Sequence, residues 1–398
     1  RNASASCAIQ ARSAVRWPVS DPYGAFLPGP RAVRAPTGPG PLDELSIAVK
    51  DLIDLCGART DAGGPGWGSA PAAYDAPAVA RLRAAGAAIA GKTVTDEVAF
   101  SLEGANPHYP PTINPSDPGA LSGGSSSGSA VAVAAGLVDG ALGTDTGGSV
   151  RVPAAFWGIF GFRPSHGAVS LAGVTPFAAS FDTVGWLARD ADTLARIGDV
   201  LLDAYAPEIT DIRLAANTLA LADADVAAAV RAHAAFMVTG PPVAVLPDDW
   251  RDLRRAYAAL QAADIRAALA EALAHRSRLL SPVAAARFAE ALHDDPEGVA
   301  EARAIRAAAT ARLDAILPPG RATIVPTAPV ARLARDAAPS TLGAFYPRAL
   351  ALCAVAGRAG APQGTMPLDR GAGLSLIARP GADRALLGLM TRLTKDAR

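Results

Sequence analysis

Cysteine is scarce in this chain. Cys7, Cys56 and Cys353 are the only three in 398 residues, and no two form a Cys-x-x-Cys pair. That argues against a disulfide framework and favours a reducing compartment, so a cytoplasmic location is expected. Histidine is also sparse: His108, His166, His233, His275 and His293, none of them in an H-E-x-x-H or Cys/His arrangement. No metal site is expected on that pattern. An excess of either charge is missing too, since 37 Lys and Arg balance 37 Asp and Glu. Such a balance offers no footprint for nucleic acid or an anionic membrane. No uninterrupted apolar run is long enough to cross a bilayer, and residue 1 onward shows no signal-peptide pattern.

What the chain has is apolar bulk, with half its residues hydrophobic and abundant Ala, Gly, Pro and Arg. A chain of this size can bury a large core. Residues 1–40 read as an arm with one short helix near 8–15. Leu45–Val49 reads as a strand running into Lys50-Asp51, and 75–86 as a short helix. Ala88–Ala90 reads as a strand, and Thr95-Asp96-Glu97 as the start of a helix. Residues 86–93, GAAIAGKT, match the phosphate-loop spelling, but a helix precedes them where that loop needs a strand. The segment 42–207 therefore reads as an α/β core. Residues 208–320 carry long Ala/Arg/Leu runs with helical periodicity, broken by one short strand at 243–246, and read as a helix-rich layer. From 321 to 398 strand signals return at Thr323–Pro326 and Leu374–Ile377, between and before helices. Strands at both ends of a helical insertion predict one sheet built from both ends of the chain: a single large α/β/α sandwich over 1–398 with a central mixed sheet.

The stretch 121–153, LSGGSSSGSAVAVAAGLVDGALGTDTGGSVRVP, holds two Gly/Ser clusters in an apolar background. Small residues ahead of a helix leave backbone N–H groups free to face an anion. Two serines compete as nucleophile. Gly124–Gly128 spells G-x-S-x-G around Ser126, yet no strand precedes it and no histidine sits in a suitable later loop. Ser149 follows a short strand at 142–144 and precedes a helix-compatible run, which aims backbone donors at any carbonyl it attacks. Its base is not fixed by spacing: a buried, neutral lysine among serines is chemically suitable, and Lys50 and Ser125 are candidates.

These residues carry a resemblance. GGSSSGSAVAVAAGLVDGALGTDTGGSVRVPAAFWGIFGFRPSHG at 123–167, the strand-borne lysine of 47–51 and GKTVTDE at 91–97 resemble the amidase signature family in wording, order and spacing. The resemblance is specific over 42–200 and diffuse over 208–398. It implies an amidase that cleaves a small carboxamide without a cofactor, with no nucleic-acid or membrane partner, as monomer or homodimer. It implies Ser149 as nucleophile, Ser125 as a relay after a cis peptide bond, and Lys50 as general base and acid. The N–H groups of Thr146, Gly147, Gly148 and Ser149 would form the oxyanion hole, with Gly124, Asp145 and Arg151 supporting and Lys92 structural. Ser127 stands where the family commonly has glycine, and Trp157 where it commonly has cysteine. The wording of 160–167 and 180–186 is nearest to the branch that hydrolyses indole-3-acetamide. An esterase using the same acyl-enzyme, or a scaffold that keeps the fold without turnover, are the alternatives.

Overall fold

The computed structural model describes residues 20–396 except 69, 116, 204, 205, 248 and 294. Cys7 and the helix expected near 8–15 lie outside the described residues. In chain order the first part carries β1 (Ser46–Lys50), α1 (Pro77–Ala84), β2 (Ala88–Thr93), α2 (Ser127–Ala134), β3 (Gly140–Thr144), α3 (Arg151–Trp157), β4 (Phe160–Arg163), β5 (Val184–Ala188) and α4 (Ala191–Leu201). Then come β6 (Asp211–Leu214), α5 (Ala224–Ala234), α6 (Trp250–Arg276), α7 (Pro282–Ala291) and α8 (Pro296–Ile316). The chain finishes with β7 (Arg321–Pro326), α9 (Pro339–Ala359), β8 (Gln363–Pro367), β9 (Gly373–Ala378) and α10 (Asp383–Asp396).

All nine strands join one sheet in the order β2-β1-β3-β5-β4-β8-β9-β7-β6. The β1 strand lies parallel to β2 and β3, and β6 to β7, while the remaining pairs are antiparallel. The fold is therefore a mixed sheet covered by helices, the α/β/α sandwich expected from sequence. Its two faces follow the period-two rule for strand side chains. Ile47, Val49, Ile89, Leu142 and Trp186 join a core with residues of α1, α4 and α10. Their neighbours Ala48, Ala90, Ala141 and Leu187 join another with residues of α2, α3 and α9. Alternation puts Lys50 on the Ala48 side, the side that α2 covers. A third apolar cluster brings α6, α7 and α8 together with Trp67, Phe177, Phe181 and Leu350.

Helix α4 shows how local sequence fixes an element. Asp190 caps it by accepting the Thr193 N–H at 2.7 Å, and Leu194, Ile197 and Leu201 recur on its buried face. Several local expectations need correction. Residues 243–246 are not a strand; only Val243 bridges Ala215. The strand of that region is β6, whose alternating apolar positions are too few to stand out. The expected helix after Thr95 is a single tight turn, Glu97–Ala99, because Val98 and Ala99 adopt positive φ. The phosphate-loop spelling runs from residue 86 into buried β2, where Gly91–Thr93 pair with β1 and cannot cradle a phosphate. Cys56 is disulfide-bonded, against the expectation from composition, whereas Cys353 is a buried free thiol.

Candidate active site

Parallel pairing sets the site. Because β1 and β3 run the same way, their C-terminal ends meet at one edge, with Lys50 ending β1 and Thr144 ending β3. Lys50 is fully buried. Its Nζ donates to Ser125 Oγ at 2.8 Å and to Thr144 Oγ1 at 2.9 Å. Burial pushes its pKa down to about 7, and the carboxylates of Asp96, Asp145 and Asp182 only partly oppose that. A lysine in this state offers a lone pair near neutral pH.

Ser125 follows Gly124 through a cis peptide bond, immediately ahead of α2. Gly124 has no room for a side chain: a Cβ would come within 2.1 Å of Asp96 Oδ2 and 2.7 Å of the Gly104 nitrogen. The second loop, 145–149, leaves β3 and leads into α3. The two loops are tied by the Ser126 N–H donating to the Ser149 carbonyl at 3.1 Å. Ser149 is 4% exposed, and its hydroxyl has no hydrogen-bond partner among the described residues. Ser126 instead turns its Oγ to the Thr144 carbonyl at 3.3 Å and lies after a loop, not a strand, so the elbow geometry is absent.

Asp145 organises the second loop. Its carboxylate accepts the N–H groups of Gly148 and Val150, each at 3.0 Å, and of Arg151 at 3.3 Å. It also accepts Arg151 Nε at 2.9 Å, Arg151 Nη2 at 2.6 Å and Arg163 Nη1 at 3.2 Å. Burial alone would raise this carboxyl's pKa. The charges and hydrogen bonds of Arg151 and Arg163 outweigh burial and hold it well below the usual carboxylate range. Because Asp145 takes the Gly148 N–H, the N–H groups of Thr146, Gly147 and Ser149 are the ones in this loop without an acceptor among the described residues. Gly148 has φ of 128°, and a Cβ there would meet Cys353 Sγ at 2.7 Å. The loop's outer side is pinned by Thr146 Oγ1 donating to Asp182 at 2.5 Å, Thr183 Oγ1 to the Asp145 carbonyl at 2.9 Å and Tyr257 OH to the Thr146 carbonyl at 2.8 Å.

The structure thus gathers Lys50, Gly124, Ser125, Asp145, Thr146, Gly147, Gly148, Ser149 and Arg151 at one sheet edge. Lys92 stays apart, paired with Asp51 at 2.9 Å and donating to Thr60 and the Arg59 carbonyl, the structural role expected of it. Sequence reasoning missed Thr144, Arg163, Asp182 and Tyr257. The first three lie inside or beside the quoted motifs. Tyr257 sits in an alanine-rich helix and carries no local signal. No group of three or more His, Cys, Asp or Glu side chains among the described residues is placed to hold a metal ion.

Comparison with known proteins gives the family of the chain. Residues 31–294 match the family model described as Amidase. The rice protein "Amidase 1" (Oryza sativa subsp. japonica) is 38% identical over 413 residues, covering 93% of this chain and 94% of that protein. A crystal structure of an amidase superposes with TM-score 0.78 at 29% identity, covering 90% of this chain and 85% of that one. So does a structure from work on a vestigial protein complex and the origins of an s-triazine catabolic enzyme, with TM-score 0.81, 28% identity and the same coverage. The chain belongs to the amidase signature family and is an amide-hydrolysing enzyme.

Proposed function

We propose that Ser149 is the nucleophile of this amidase, with Lys50 acting through Ser125 as its base. The observation that carries the reading is the buried Lys50–Ser125 hydrogen bond of 2.8 Å. Once the Ser149 hydroxyl, unpartnered among the described residues, turns to Ser125, neutral Lys50 takes the Ser125 proton as Ser125 takes that of Ser149. Ser149 Oγ then adds to the carboxamide carbon. The oxygen that becomes negative is stabilised by the unclaimed N–H groups of Thr146, Gly147 and Ser149; Gly148 contributes through loop shape, its own N–H being held by Asp145. The same proton path runs backward to the departing nitrogen, which leaves as ammonia or an amine. Water then cleaves the Ser149 ester, with Lys50 again the base, and the carboxylate departs.

The reading extends to an apolar, aromatic acyl group such as an aryl acetamide, indole-3-acetamide among them. Its support is the cluster of Trp67, Phe177, Phe181, Tyr257 and Leu350. Two members touch the catalytic loop: a Cβ on Gly147 would lie 2.8 Å from Leu350 Cδ1 and 3.3 Å from Tyr257 OH. The test is steady-state hydrolysis of matched amide and ester pairs, aryl-acetyl against short aliphatic, by wild type and Ser149→Ala. Loss of both activities in Ser149→Ala, with amides and aryl-acetyl groups preferred in wild type, is expected. Full amide turnover by Ser149→Ala removes the nucleophile assignment, and exclusive ester turnover makes the enzyme an esterase.

A further inference from the structure

Away from the catalytic edge, α6, α8 and the end of α9 enclose a cleft of about 780 Å³. Three guanidinium groups line it: Arg303, Arg306 and Arg358. Arg358 is 3% exposed. Its Nη2 donates to the Val245 carbonyl at 2.9 Å, but Nε and Nη1 are buried with no hydrogen-bond partner. Neither Arg358 nor Arg303 forms an ion pair among the described residues. Burial, and after it the like charge of Arg312, push the Arg358 pKa down to about 10. An unpaired buried cation with two idle donors is costly, and native proteins normally satisfy it with an anion.

The rest of the cleft suits that ligand. Arg306 is fixed by donating Nε to the Arg358 carbonyl at 2.9 Å and Nη2 to the Ser180 carbonyl at 3.1 Å, with its Cζ 4.6 Å from the Phe181 ring centre. Two carboxylates share the cleft. Asp264 is occupied by the Ser180 N–H at 2.8 Å and hydroxyl at 3.2 Å, and Asp314 lies on the exposed side. Arg358 and Arg306 also line a small void with Phe181 and Tyr257.

We propose that this cleft is a binding site for a small monovalent anion, halide or carboxylate, held by Arg358 with Arg306 and Arg303 beside it. Its wall is shared with the catalytic loop. Tyr257 donates to the Thr146 carbonyl at 2.8 Å, and a Cβ on Gly357, next to Arg358, would stand 3.6 Å from that same oxygen. An anion here therefore braces the end of α9 and α6 against the loop. Chloride from the medium and the carboxylate product of the reaction are the two sources of this chemistry.

The test is thermal unfolding of the full chain titrated with sodium chloride or sodium acetate, in wild type, Arg358→Met and Arg303→Gln. Wild type is expected to gain melting temperature saturably, as a bound ligand requires. Arg358→Met is expected to lose that response, and Arg303→Gln, on the exposed lip and independent of core packing, to need roughly tenfold more anion. Saturation by chloride at the lower concentration identifies a halide site; saturation by acetate first identifies a carboxylate site. A bromide-soaked crystal should show anomalous density beside Arg358. A rise that never saturates, or one equal in wild type and both variants, is a bulk salt effect and overturns the proposal. Should Arg358→Met fail to fold, an unchanged response in Arg303→Gln together with absent bromide density overturns it equally.

Discussion

Lys50 Nζ stands 2.8 Å from Ser125 Oγ, with 75 positions of chain between the two residues. Both side chains are fully buried. Burial has brought the pKa of this lysine, beside a serine hydroxyl, down to about 7.

The first prediction follows from that pair. Lys50→Met should lower amide kcat by about 10²–10⁴-fold, the usual weight of general acid–base catalysis. In wild type, kcat/KM should climb with pH through a limb near 7 as Lys50 loses its proton, and the variant should lack that limb. Stability should move the other way. The folded pKa lies below the unfolded one, so the native state forgoes a proton that the unfolded chain binds. That cost is absent above the unfolded value of about 10.4 and grows as pH falls toward about 7. Lys50→Met should therefore melt higher than wild type at neutral pH, with the difference vanishing in strong alkali; pH-resolved calorimetry would show it.

Asp145 gives the second. Its carboxylate balances Arg151 and Arg163, both wholly buried. Asp145→Asn leaves those charges uncompensated, and a loss of about 3–5 kcal/mol is expected in denaturant titration. The pH sign is opposite to that of Lys50. The folded pKa is depressed, so this stabilisation is complete above the unfolded value of about 3.9 and fades as pH falls through the folded one. The wild-type minus Asp145→Asn stability gap should thus shrink in acid.

Tyr257→Phe removes one donor from the Thr146 carbonyl without altering volume. A net hydrogen bond of about 1 kcal/mol corresponds to a roughly fivefold effect. The decrease should fall on kcat, because the loop that carries the candidate oxyanion donors loosens, while the melting temperature changes little. A loss confined to KM would instead make Tyr257 a substrate contact.

Gly124→Ala tests packing beside Ser125. The new methyl must displace Asp96 Oδ2 or the Gly104 nitrogen, which are themselves hydrogen-bonded at 3.0 Å. Activity should drop by more than tenfold, with Ser125 shifted from Lys50 in a crystal structure of the variant. Unaltered kinetics would show that this corner relaxes freely.

Much of the molecule was legible beforehand because its signals are local. The strand ending at Lys50, the capped periodicity of α4 and the two small-residue clusters each speak within ten residues of themselves. Where reading failed, the signal was not local. The β6 strand is only four residues, and half-buried. The turn at Val98 takes a positive φ that no β-branched residue advertises. Val243 to Leu246 has the composition of a strand, but a strand needs a partner along its length, and the sheet offers only a bridge.

The sequence by itself determined the alternation that buries both faces of the sheet, the helix-rich middle, and the serine- and glycine-bearing loops that carry the family's wording. Those are properties of residue types and their spacing. Tertiary structure decided what the residues meet. Parallel pairing of β1 with β3 brought Lys50 to Thr144 and Ser125, and its burial there set the pKa. Asp145 became the hub of two arginines and thereby claimed the Gly148 N–H, taking one donor out of the expected oxyanion set. Tyr257 reached the Thr146 carbonyl from 111 positions away, and Arg358 was buried without an ion-pair partner among the described residues. Desolvation and hydrogen-bond competition act between groups brought together in space, so neither can be read from positions along the chain.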